Sequence, residues 1–264
     1  MRVFNRRNYY LLRQLVITDF KLRYQGSVLG YLWSLLKPLA LFSVLYTVFS
    51  QVLRFGDAIP FYPAYLLLGI VFFTFFAEAT NNGLRAIVDR GDLIGKISMP
   101  KYIVVVSTVF SSLINLIINL GVVMVFILAT NAVIRPAALL VIPVLAVEVL
   151  VFSLAIVFLL SALYVHYRDI AYIWEVVVQM MFYATPIIYP LILVPEAVRP
   201  FLLLSPLAQI IQDARDVLVT PQTTTLSSII SLEAMLIPFV FIAGLGVVAV
   251  WYFRRKAPYF AEEM

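Results

Sequence analysis

The chain has 264 residues, 63% of them hydrophobic and 12% charged, with 19 Lys and Arg against 14 Asp and Glu and a formal net charge of +5. Soluble domains average about 45–50% apolar and about 25% charged, and disordered chains pair low hydrophobicity with high charge, so both classes are excluded and a polytopic membrane protein remains. The lack of cysteine removes disulfides, thiolate nucleophiles and Cys-based metal sites, and a single histidine removes a His-rich one.

Residues 5–25 are too charged to cross a bilayer. Tyr9, Leu12, Val16 and Phe20 recur at helical spacing, while Arg7, Gln14, Thr18, Lys21 and Gln25 fall on another face. This predicts an amphipathic helix over 5–27 lying in the cytoplasmic interface. The plainer alternative is an ordinary positive flank that only sets topology. A helical span needs about 20 apolar residues, and six stretches offer that: 32–53, 64–86, 102–130, 137–164, 171–189 and 229–253. The expected fold class is therefore all-α and polytopic, one domain over 1–264 with six transmembrane helices. Such a length leaves no room for a soluble ATPase domain. In the first span, Lys37 lies about one turn from the cytoplasmic end, where it can snorkel. Pro38 removes a helix donor and favours a kink or a helix start; the latter places the beginning of that span near Pro38 with 30–37 as an interfacial bend.

The loop over 87–101 mixes Asp89, Arg90, Asp92 and Lys96 with Leu93, Ile94, Ile97 and Met99. A short helix with one apolar and one charged side fits docking to a cytoplasmic partner, and a solvated connector fits the same pattern. The stretch from Gly91 to Lys96 falls short of a phosphate-binding loop: three residues instead of four separate its glycines, and Ile97 stands where Ser or Thr is needed. Nucleotide binding by this chain is rejected.

Farther on, Pro186, Pro190, Pro195, Pro200 and Pro206 rule out one continuous helix. Yet 201–204 and 207–219 are too apolar for a free loop. Short re-entrant or external helices are expected over 190–219, between spans 5 and 6. Broken backbone at membrane depth is tolerated only inside protein or along a cavity, so Pro186, Pro190 and Pro206 mark a candidate outer gate.

Orientation follows from the basic residues. The N-terminus, 87–101, 165–170 and the C-terminus, with flanking Lys37 and Arg85, hold 15 of the 19 Lys and Arg. The other side holds Arg54, Arg135, Arg199 and Arg215. Both termini are thus expected in the cytoplasm.

Glu78, Glu148, Glu175 and Glu233 lie in or at the edge of spans, and buried acids in lipid are costly. Each is either a proton-relay residue, a neutraliser of a nearby base or a helix cap near the interface; Arg85, about two turns along, is the base near Glu78. Glu148 alone lies near mid-membrane with no obvious partner. His166 sits at a cytoplasmic turn without a second His or a nucleophile motif, and reads as a turn residue. Among the aromatics, Phe42, Tyr46 and Phe49 share one side of the first span, and Phe182 with Tyr183 closes the fifth. Aromatic faces with hydroxyl rims suit sugar rings; helix packing and lipid contact are the plainer account of them.

The order of parts resembles the permease subunits of ABC-2 type polysaccharide exporters, from Leu15 to the C-terminus. Four segments carry the resemblance. Asp19-Phe-Lys-Leu-Arg-Tyr-Gln-Gly-Ser-Val-Leu-Gly-Tyr-Leu-Trp-Ser-Leu-Leu-Lys-Pro38 is similar to the family's lead into its first span. Tyr167-Arg-Asp-Ile170 is similar to the turn between spans four and five, and Phe182-Tyr-Ala-Thr-Pro-Ile-Ile-Tyr-Pro190 to the end of span five. Ser205, Pro206 and Leu207 resemble its external re-entrant region. The resemblance implies a homodimer in the bacterial inner membrane, completed by two copies of a soluble ATP-binding subunit that carries ATP and Mg. This chain would hold no cofactor and no metal and perform no catalysis. Its cargo would be a lipid-linked polysaccharide of O-antigen, capsular or teichoic-acid type, passing along spans one and five. Asp89, Arg90, Asp92, Leu93 and Lys96, with Arg7 and Arg13 on the N-terminal helix, would couple to the ATPase. A permease for a drug or lipid, and a proton-coupled exporter using Glu148, remain the competing readings.

Overall fold

The computed structural model describes residues 6–54, 59–96, 99–130, 134–221, 223–229, 234–261 and 263. Among these the regular structure is entirely helical. The long elements are α1 (Arg6–Tyr24), α2 (Trp33–Tyr46), α3 (Tyr62–Arg85), α5 (Tyr102–Ala129), α6 (Ala138–His166), α7 (Ile170–Ala184), α9 (Pro206–Leu218) and α11 (Ile237–Lys256). Short helices α4 (Gly91–Lys96), α8 (Arg199–Leu203) and α10 (Leu226–Ile229) fill the connections.

Five helical stretches are long and apolar enough to cross a membrane: Gly30–Val52, Tyr62–Arg85, Tyr102–Ala129, Ala138–His166 and Ile237–Phe260. The chain is an all-α polytopic membrane protein. α3 is the central post, since its apolar residues run all round it. Leu66, Leu67, Leu68, Ile70, Phe72 and Phe76 are all buried. α2, α5, α6, α7 and α9 pack on α3, α11 lies on α6, and α1 lies along α5. At Gly83 a β-carbon would stand 2.4 Å from Val157 Cγ1, so the close approach of α3 to α6 requires glycine there.

Three boundaries depart from expectation. α2 does not begin at Pro38. It starts at Trp33, after a 3-10 turn over Gly30–Leu32, and runs through the buried proline. Pro38 cannot donate to the Ser34 carbonyl, and Asn119 Nδ2 of α5 donates to it instead at 3.1 Å. Beyond Tyr46 the helix widens into π geometry over Thr47–Val52.

The fifth stretch is helical over only 15 residues, Ile170–Ala184. At 1.5 Å per residue that covers about 22 Å, short of a core of about 30 Å. Thr185 turns extended (φ −78°, ψ 137°) because Pro186 follows, and a residue before proline avoids the helical region.

The last long helix starts at Ile237 rather than 229. Pro238 stands in its first turn, where the missing N–H costs nothing. Glu233 lies outside the described residues.

Candidate functional site

Two polar assemblies and one cleft organise the molecule. The cleft, of about 800 Å³, opens between α2, α3, α5 and α7. Trp33 and Lys37 come from α2, Phe73, Glu78 and Asn81 from α3, Asn115 from α5 and Phe182 from α7. It exists because α3 changes character along its length. Its first four turns are apolar and sealed, while Glu78, Asn81 and Asn82 near its end need polar surroundings.

Glu78 is neutralised, but not by Arg85, which is exposed. Arg23 of α1 forms the ion pair with Glu78, and its other nitrogen is 3.4 Å from Ser112 Oγ. Asn115 Nδ2 donates to Glu78 Oε1 at 3.0 Å. One α1 turn earlier, Asp19 pairs with Arg90, just ahead of α4. Arg90 Nη1 also donates to Ser107 Oγ at 3.1 Å. α1 is thereby bolted to α3, α5 and the start of α4 by two half-buried ion pairs with hydrogen-bonded amide and hydroxyl neighbours. These geometries hold better than exposed pairs, which contribute about 0–1 kcal/mol.

The residues named for partner docking divide accordingly. Arg90 faces inward onto α1. Asp89 and Asp92 are exposed, Leu93 is half-buried and Ile94 is buried beneath it. Lys96 closes α4, with its side chain outside the described structure. Arg7 and Arg13 are exposed on α1.

The aromatic candidates do not form one lining. Phe42 is buried, stacked on Tyr46 at 5.6 Å and edge-on to Phe126 of α5 at 5.6 Å. Tyr46 stacks in turn on Tyr62 at 6.3 Å. These two pack inside the bundle, and Phe49 is half-buried at the widened end of the same helix. Phe182 meets Phe73 edge-on at 5.1 Å and borders the cleft, and Tyr183 is 63% exposed beside it.

The second polar assembly centres on Arg215 of α9. Its side chain is fully buried, 3.5 Å over the Tyr65 ring. Nε donates to Tyr65 O at 3.0 Å, Nη1 to Pro186 O at 2.6 Å and Nη2 to Ile187 O at 2.7 Å. Gln212 Oε1 accepts from Nη1 at 3.0 Å. In a helix the Pro186 carbonyl would accept from residue 190, which is a proline without an N–H; the guanidinium supplies that donor, and another for Ile187 O in the same broken stretch. A β-carbon on Gly69 would stand 2.5 Å from Nη2, so this approach also depends on glycine. Tyr62 adds a 2.9 Å bond from its hydroxyl to Ile188 O, and Arg135 pairs with Asp216 at 2.6 Å. Pro186, Pro190 and Pro206 are all buried in this fixed segment.

Sequence reading placed Arg215 among loop cations and missed it. Gln209, Gln212 and Arg215 recur every three residues, which reads as a wet face; the structure buries that face instead.

Glu148 is 8% exposed, beside Gln209 and Asp213 of α9, and neither of its carboxylate oxygens has a hydrogen-bond partner among the described residues. Glu175 is exposed. His166 Nδ1 lies 3.0 Å from Glu263 Oε2. Among the described residues no three His, Cys, Asp or Glu side chains gather as a metal site.

Residues 10–219 match the family described as ABC-2 type transporter. The O-antigen export system permease protein RfbA of Myxococcus xanthus is 34% identical over 182 residues, covering 69% of this chain and 68% of that protein. Two Klebsiella pneumoniae proteins of the same name are 29% identical over 210 residues and 30% over 212, each covering 78% of this chain and 80% of the relative. With its bundle of long apolar helices and most of its length matched, the chain belongs to the ABC-2 type transporter family, as a non-catalytic membrane permease subunit related to O-antigen export permeases.

Proposed function

We propose that this chain is the transmembrane subunit of an ATP-driven exporter that moves a lipid-linked polysaccharide across the bacterial inner membrane. The observation that carries the reading is the cleft, joined to the kinship with O-antigen export permeases. Its carboxamides and paired charges can exchange hydrogen bonds with hydroxyls, while Trp33, Phe73 and Phe182 offer flat apolar contact. A neutral, hydroxyl-rich polymer matches that mixture better than a purely apolar drug does.

In this reading two copies of the chain face each other, and two soluble subunits bind ATP and Mg. The crossing count is six, with α7 and the bent segment after Pro186 together making the fifth. The basic bias puts both termini and α4 in the cytoplasm, and α1 lies in the interface there. α4 is the coupling helix, presenting Asp89 and Asp92 to the ATPase with Lys96, Arg7 and Arg13 beside them. Arg90 carries its displacement to α1 through Asp19. Phe182 and Tyr183 contact the glycan, with the side of α2 that bears Phe42, Tyr46 and Phe49 behind them. The segment fixed by Arg215 is the outer gate, and Pro186, Pro190 and Pro206 set its shape. No covalent chemistry falls to this chain; it binds, guides and moves.

Depletion of the chain tests the cargo. Accumulation of lipid-linked glycan on the cytoplasmic side supports the reading. Unchanged surface glycan with retention of a drug or lipid overturns it. One observation favours a second reading: the unpartnered Glu148 carboxylate fits a proton-coupled exporter. That reading requires export to continue without an ATPase subunit and to stop in Glu148→Gln.

A further inference from the structure

We infer that Ala257–Ala261, together with Glu263, forms a cytoplasmic strap that ties α4 to the ends of α5, α6 and α11, with Lys101 and Phe260 as its positioning residues. The inference rests on the reading of α4 as the helix that the ATPase moves.

The chain does not trail away after α11. It tightens into a 3-10 helix over Ala257–Ala261. Lys101, at the head of α5, donates its Nζ to Ala257 O and lies 3.5 Å from Pro258 O. Helix C-termini leave carbonyls without partners and carry partial negative charge, so a lysine there both caps and neutralises. The same ammonium stands 5.5 Å from the centre of the Phe260 ring.

Phe260 is 1% exposed and meets Phe253 edge-on at 5.3 Å. Phe253 in turn meets Phe158 of α6 edge-on at 5.1 Å. Glu263 adds a second tie, to His166 at the end of α6, while its own N–H donates to Tyr259 O at 3.2 Å. The 3-10 helix also packs directly on α4.

A buried aromatic and a lysine clasp hold this segment against four helices. α4 is six residues long and cannot move rigidly by itself. Arg90 links it to α1 on one side, and the strap links it to α5, α6 and α11 on the other. A displacement of α4 is thereby delivered to both halves of the bundle. Loss of the strap leaves α4 seated on the ATPase and mechanically detached from α6 and α11.

The test uses the complete transporter with its ATPase subunit in native membrane vesicles. Lys101→Ala, Phe260→Ala and the double variant are assayed for ATP hydrolysis and glycan export in parallel. The expected result is retained ATPase association and hydrolysis, with glycan exported per ATP falling about three- to tenfold in the double variant, as for mutations along a coupling path. Lys101→Arg and Phe260→Trp should restore most of that ratio. Hydrolysis and export falling together with loss of the ATPase subunit would overturn the strap in favour of a simple folding role. An unchanged ratio would overturn it outright. If the unmutated vesicles show no ATP-dependent export, the underlying transport reading fails instead, and the two failures stay distinct.

Discussion

Asn119 supplies the hydrogen bond that Pro38 withholds. In a helix the Ser34 carbonyl would accept from the backbone N–H of residue 38, which proline lacks; the Asn119 amide reaches across from α5 and donates to it at 3.1 Å. A second bond, to Asn115 O at 2.8 Å, holds that amide in place. α2 therefore stays helical through its proline, and it is pinned to α5 where the cleft begins.

Asn119→Leu should destabilise the purified protein by about 1–3 kcal/mol, because the Ser34 carbonyl is then left buried and unpaired. Pro38→Ala restores the backbone donor, so the same asparagine change should cost much less on that background. A double-mutant cycle on thermal unfolding in detergent reads the coupling. Equal costs on both backgrounds would separate the two residues.

Arg215→Ala should be among the most damaging single changes. It strips donors from the carbonyls of Pro186 and Ile187, each costing about 1–3 kcal/mol when buried unpaired, and a second donor from the Tyr65 carbonyl, which keeps its partner within α3. Gly69→Ala should show a milder form of the same defect by pushing on Nη2. Both are checked by the monodispersity and melting of detergent-solubilised protein. Arg215→Lys should rescue poorly, since one ammonium cannot reproduce a planar fork.

Asp92→Lys, or charge reversal at Lys96, should abolish export while membrane insertion stays normal, because Asp92 is exposed and the apolar side of α4, with Ile94, is left intact. Arg90→Ala should act differently, loosening α1 as well through the lost Asp19 pair. The doubly reversed Asp19→Arg, Arg90→Asp variant should recover part of the loss. Limited proteolysis of α1 in membrane vesicles reports this, and undiminished protection in Arg90→Ala would refute the link.

Glu148→Gln should leave export within about twofold of the parent, since the amide is isosteric and the carboxylate makes no hydrogen bond that it would lose. A complete block in that variant would turn the mechanism toward proton coupling.

Much of this fold was legible because bilayer length and apolar runs are a strong local signal. The limits of α3, α5 and α6 fall within about two residues of where hydropathy puts them. The failures share a cause. Apolar residues at 185–189 look like more of α7, yet one proline after Thr185 ends the helix. Glu78 looked toward Arg85 on its own helix, whereas its partner is Arg23, from an element far away in sequence. The Gln209, Gln212 and Arg215 stripe has the period of a wetted face, and period cannot distinguish water from backbone carbonyls as the partner. The kinship was carried by short motifs around helix ends, where the backbone chemistry is most restrictive.

The glycine at position 83 has a mechanical consequence. With Val157 filling the space where its side chain would be, α3 and α6 interlock like meshed teeth and cannot slide along each other without lifting apart. α11 rides on α6 and shares that constraint. These three helices therefore form one block, and a displacement delivered to α6 or α11 reaches α3 as well.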